Sequence, residues 1–104
     1  MVGRIRAKIE AGRFEYSQHA TDQSIKRRIS VAELREAMRG PELIEDYPNA
    51  KYGPSCLLLG FTDSDRPLHI HCSHGSRELV KIITLYEPSS AVWLNFRFRR
   101  KEDD

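Results

Sequence analysis

The chain is poor in several things that would have placed it quickly. It holds only two cysteines in 104 residues, too few for a disulfide framework. Cys56 and Cys72 both lie in apolar, strand-like runs, and the expected state is a pair of reduced, buried thiols. A disulfide between adjacent strands is the alternative. The longest apolar run, Cys56 to Leu59, is far too short to cross a bilayer. Arg4, Arg6 and Lys8 open the chain with no long apolar stretch behind them, so no secretory signal is expected and a cytoplasmic location is. There are no repeats, linkers or low-complexity segments. The net charge is only +2, without the strong basicity that would by itself announce a nucleic-acid binder.

What is present fits one small domain spanning residues 1–104, large enough for one core. Hydrophobic residues make up 39% and charged residues 31%, as in a folded globular chain rather than a disordered one. The charge is unevenly spread. Residues 1–28 carry seven Lys/Arg against three Asp/Glu, residues 29–65 three against seven, and residues 66–104 seven against five. Two basic ends that met in space would form a face able to attract phosphate; an ordinary solvated surface is the plain alternative.

Val2, Ile5 and Ile9 fall at helical spacing, with Gly12 placed as a C-terminal cap. Phe14 and Tyr16 lead into a second helix. Ser17 is its N-cap, and no breaker interrupts Gln18 to Arg28. On that helix His19, Gln23 and Arg27 are four apart and nearly stack. Ser30-Val31-Ala32-Glu33 is a capping box opening a third helix, which Gly40-Pro41 ends. The period then becomes strand-like. Leu43–Tyr47 is a first strand, and Ser55–Thr62, apolar without alternation, a central one. Leu68–Ser73 and Leu79–Tyr86 follow. Val92, Leu94, Phe96 and Phe98 alternate with Trp93, Asn95, Arg97 and Arg99, which suits an edge strand or a short helix followed by a strand. Residues 101–104 read as a frayed tail. Helices first and short strand connections afterwards predict an α+β domain. Two or three N-terminal helices would pack on an antiparallel four- to five-stranded meander.

Tyr16-Ser17-x-His19-Ala20, Arg27-x-Ile29-Ser30, Tyr47-Pro48 after an acidic pair, Pro67-Leu68-His69, and Ile83-Thr84-x-Tyr86-x-Pro88 with Trp93 together resemble the bacterial domain-of-unknown-function 4258 family. The resemblance runs from about Phe14 to Arg100. That family looks related to the RelE/barnase-like superfold, so the resemblance implies a RelE-like sheet and, by fold-level analogy, metal-independent RNA cleavage of the toxin–antitoxin type. One departure matters: the family pattern has an arginine where this chain has Gln23, and the lost cation weakens phosphate binding by the helix.

Cleaving RNA without a metal needs a base for the 2′-hydroxyl, donors or cations for the phosphorane, and an acid for the leaving oxygen. His19 suits the base or acid, and Arg27 a phosphate clamp. Thr84 and Tyr86 lie two apart on one strand face and can donate hydrogen bonds, while His69 is a second titrating group. Gln23, Arg97 and Arg99 are expected to bind substrate. Each position also has a structural reading. His19 would bond a carbonyl or carboxylate, Arg27 would pair with Asp22 or Glu33, and Thr84 and Tyr86 would pack in the sheet. His69-Ile70-His71-Cys72-Ser73-His74 holds four zinc-type ligands in six residues. A strand would put His69 and His71 on one face and Cys72 and His74 on the other, so no metal and no cofactor are expected. The expected partners are RNA or the ribosome, and an antitoxin-like protein. The competing reading is a non-catalytic RNA- or protein-binding module on the same fold.

Overall fold

A computed structural model describes residues 1–101; of the expected frayed tail, 102–104 lie outside the described residues. Three helices come first: α1 (Val2–Glu10), α2 (Gln18–Lys26) and α3 (Val31–Ala37), with a short strand β1 (Phe14–Tyr16) between α1 and α2. Strands β2 (Glu42–Tyr47), β3 (Ser55–Phe61), β4 (Pro67–Ser73) and β5 (Val80–Tyr86) follow. The short strands β6 (Trp93–Leu94) and β7 (Phe98–Arg99) close the chain. The fold is α+β.

The helix ends are built by the expected local chemistry. Gly12 holds φ 77°, and the Gly12 and Arg13 amides donate to the Ile9 and Lys8 carbonyls at 3.0 and 2.8 Å. Such a left-handed closure asks for glycine. Arg28 does the same job after α2 at φ 54°. Ser30 and Glu33 form the reciprocal capping box of α3. No helix among the described residues is long and apolar enough to cross a membrane.

Strands β2 to β5 form the antiparallel meander, but the sheet is mixed. Its order is β1-β5-β4-β3-β2, and β1 runs parallel to β5 with Tyr16 opposite Ile82. Three residues are too few to show a period, and their partner lies more than sixty positions away, so local pattern cannot announce this strand. Side chains alternate across the sheet. Cys56, Leu58, Leu68, Ile70, Cys72, Val80, Ile82 and Leu85 face the helices. There they form one core with Ile5, Ile9, Ala20, Leu34, Ala37 and Met38. Gly60 lies on the same face, where a β-carbon would stand 2.0 Å from the Ala37 carbonyl oxygen; α3 sits this close because the position has no side chain. Cys56 and Cys72 are direct cross-strand partners and free thiols. The hydrogen bond between them, with burial, holds Cys72 well above the usual thiol range.

The C-terminal stretch departs from expectation. It neither extends the main sheet nor forms a helix; β6 and β7 make a separate two-stranded ribbon. Asn95 and Phe96, both left-handed at φ 54° and 61°, form its turn, closed by the Arg97 amide on the Leu94 carbonyl at 3.1 Å. Such turns usually carry glycine, and no glycine marks this one. The turn reverses the alternation: Trp93 is buried, whereas Leu94 and Phe98 are 51% and 62% exposed.

Candidate functional site: the sheet face opposite the helices

The face away from the helices carries Ser55, Leu57 and Leu59 of β3 and His69, His71 and Ser73 of β4. Thr84 and Tyr86 of β5 lie on it too, in register with His71 and His69. The C-terminal ribbon divides this face into a covered and an open half.

His69 is the anchor of the covered half. It is 0% exposed, and its Nε2 lies 2.6 Å from the Phe96 carbonyl oxygen. A carbonyl only accepts, so Nε2 carries the proton and Nδ1 accepts from the Tyr86 hydroxyl at 3.2 Å. Trp93 meets the imidazole edge-on, with centroids 4.5 Å apart. Burial holds the His69 pKa below its ordinary value, so it stays neutral, while burial raises that of Tyr86. Two ion pairs clamp the ribbon: Arg97 Nε to Glu42 at 2.6 Å and Arg99 Nε to Glu45 at 2.8 Å. The Arg99 guanidinium also lies over the Trp93 ring. The side-chain hydrogen bond from Arg99 holds the Glu45 carboxyl below its usual range. The expected substrate cations Arg97 and Arg99 are thus paired with carboxylates, and His69 is bonded both to Tyr86 and to the ribbon.

The open half is a cleft of about 570 Å³ between the β2–β3 and β4–β5 connections. Its lining includes Ser55, His71 and Ser73, with Lys51, Arg77 and Lys81 as cations and Tyr52 as an aromatic. His71 Nε2 lies 3.0 Å from Ser55 Oγ, and burial lowers the His71 pKa. Ser73 Oγ accepts from the Lys81 amide at 2.9 Å. Lys81 approaches Glu15 only at 4.0 Å, with both side chains substantially exposed. Such a pair leaves the ammonium open to a ligand. Arg77 donates to the Tyr52 carbonyl at 3.4 Å, and Lys8 donates to the Arg77 carbonyl, so the two connections and α1 are tied together.

The start of α2 meets this cleft at a β-bulge. His71 pairs with Thr84 but Cys72 with Ile82, which leaves Ile83 without a partner on β4. The Ser17 hydroxyl donates to the free Ile83 carbonyl at 2.8 Å and accepts from the Ala20 amide at 3.0 Å. One side chain both caps the helix and satisfies the bulge.

The remaining expected positions fall as follows. His19 is exposed on α2 and is not part of the cleft lining. Arg27 Nε donates to Gln23 Oε1 at 2.6 Å rather than to Asp22 or Glu33; Glu33 pairs instead with Arg66 at 3.1 Å. The Arg27 charge acts on Tyr86, helping to offset the rise in its pKa, so the end of α2 and the end of β5 face a common region. Thr84 lies beside His71, between the two halves. His74 turns to Asp46 at 2.6 Å and to the Ser55 carbonyl at 2.9 Å. Among the described residues no three His, Cys, Asp or Glu side chains gather as metal ligands would. Sequence reasoning weighed His71 only as a metal ligand and passed over Lys51, Arg77, Lys81 and Tyr52. The alternation that pairs His71 with His69 on one face was visible, but the cations come from two separate connections.

A family model described as Domain of unknown function (DUF4258) matches residues 16–87, from the end of β1 to just past β5. No curated protein and no solved structure matches the chain. With well over half of its length matched, the chain belongs to the DUF4258 family.

Proposed function

We propose that the open half of the sheet face binds RNA and cleaves it without a metal ion. One observation carries this reading: an imidazole, His71, shares a single cleft with three cations, Lys51, Arg77 and Lys81, and burial lowers its pKa, which favours the neutral base. In the tautomer whose Nε2–H donates to Ser55 Oγ, the Nδ1 lone pair is the basic site. In the proposed reaction His71 takes the proton of a ribose 2′-hydroxyl. The 2′ oxygen attacks phosphorus, the P–O5′ bond breaks, and the leaving oxygen takes a proton from water in the open cleft. The products are a 2′,3′-cyclic phosphate and a 5′-hydroxyl end. Lys81 and Arg77 offset the charge on the phosphorane. His19 and Arg27, at the α2 edge outside the cleft lining, are further contacts for the phosphates of a longer strand. On this reading the protein works in the cytoplasm on messenger or transfer RNA, in the manner of RelE-like toxins, beside an antitoxin-like partner.

The test is incubation of purified protein with RNA in excess chelator, with and without ribosomes. Cleavage that His71→Ala abolishes and that rises with pH through the His71 titration is the expected result. Loss in His19→Ala but not in His71→Ala would move the site to α2. Intact RNA in every arm, with the protein folded, would overturn catalysis. A non-catalytic RNA-binding module is the second reading, favoured because His71 is the one imidazole in the cleft lining; it gives salt-sensitive binding without turnover.

A further inference from the structure

Tyr52 has no structural reason to be where it is. Its side chain is 84% exposed, and the phenol forms no hydrogen bond within the described residues. It nevertheless lines the cleft, and the Lys51 ammonium lies 5.4 Å from its ring centroid. The connection that carries it is held in place, with the Gly53 amide donating to the Ala50 carbonyl at 3.0 Å and Arg77 reaching the Tyr52 carbonyl. A large aromatic ring on a fixed loop, lining together with three cations a cleft of one- to two-nucleotide size, has the parts of a base-stacking platform.

We infer that Tyr52 stacks an unpaired base while Lys51, Arg77 and Lys81 hold the adjoining phosphates, so the ligand of this cleft is single-stranded rather than duplex RNA. The inference rests on the RNA reading above and narrows it. A base within a helix is stacked on both faces and cannot reach such a ring; a base in a single strand or loop offers a free face of any sequence. Cations alone would hold duplex and single strand alike through their phosphates.

The experiment is equilibrium binding of a fluorescent eight-nucleotide RNA and of a duplex of matched length, in chelator and at two salt concentrations. Wild-type protein should bind the single strand at least tenfold more tightly. Tyr52→Ala should weaken that binding about ten- to a hundredfold and leave duplex binding unchanged, while Tyr52→Trp should retain it. Because Tyr52 is almost wholly exposed, its replacement leaves the fold intact, which an unchanged melting temperature verifies. Equal binding of the single strand by wild type and Tyr52→Ala, or equal affinity for both RNAs, would overturn the stacking role and leave the RNA reading standing. Absence of any RNA binding by wild type would sink the RNA reading itself, and this inference with it.

Discussion

Replacing His69 by leucine tests whether this imidazole, rather than the ion pairs, fastens the C-terminal ribbon. Leucine fills most of the volume, so cavity formation is small. The substitution removes the donor to the Phe96 carbonyl and the acceptor for the Tyr86 hydroxyl but leaves both partners in place. A buried polar group without its partner costs about 1–3 kcal/mol. Tyr86 can turn its hydroxyl toward solvent more readily than a backbone carbonyl can, so the expected total is about 2–3 kcal/mol. The exposed pairs Arg97–Glu42 and Arg99–Glu45 add little in comparison. For a domain of this size that loss lowers the melting temperature by roughly 10–20 °C. Trp93 is the one tryptophan of the chain and is 3% exposed against His69, so its emission reports the ribbon directly. His69→Leu should shift that emission to the red at temperatures where the far-ultraviolet circular dichroism is still native. A double-mutant cycle with Tyr86→Phe should show coupling, because the two side chains share a hydrogen bond. Unchanged stability together with unchanged Trp93 emission would refute the assignment of His69 as the fastener.

Acid should weaken the fold in two steps. Burial holds His69 and His71 below the ordinary imidazole value of 6.5, so the unfolded chain binds these protons first. Stability from this source is then complete above pH 6.5 and falls as pH drops below it, by up to about 1.4 kcal/mol per pH unit for each histidine. Around His69 the nearby Glu45 opposes the downward shift and Arg99 adds to it. A second loss follows below about pH 4.5, as Glu33 and Glu45, both held below that ordinary value, take up protons. Thermal melts from pH 7.5 to 3.5 that stayed flat would contradict both steps. Gly60→Ala should destabilise by about 2 kcal/mol or more in a urea titration, since the new β-carbon meets the Ala37 backbone rather than a movable side chain. A neutral result there would mean that α3 can slide away from β3 without loss.

The helices, their caps and four of the five strands of the main sheet were legible because each is signalled within a few neighbouring residues. Ser17 and Ser30 cap, Gly12 closes a helix, and β3 is buried on both faces from Ser55 to Gly60, as an unbroken apolar run implies. From these the α+β class follows directly. Tertiary structure alone decided the rest. Phe14–Tyr16 becomes a strand only because β5 offers it an edge. Trp93 is buried and Phe98 exposed only because Asn95 and Phe96 accept left-handed backbone in a turn without glycine. His69 and His71 are two apart on one face of one strand and look equivalent in sequence. The ribbon covers the first and leaves the second in a cleft, while Glu42 and Glu45 take the arginines expected to meet substrate. Short-range pattern specifies which face a side chain points to; what lies over that face depends on contacts between segments tens of residues apart.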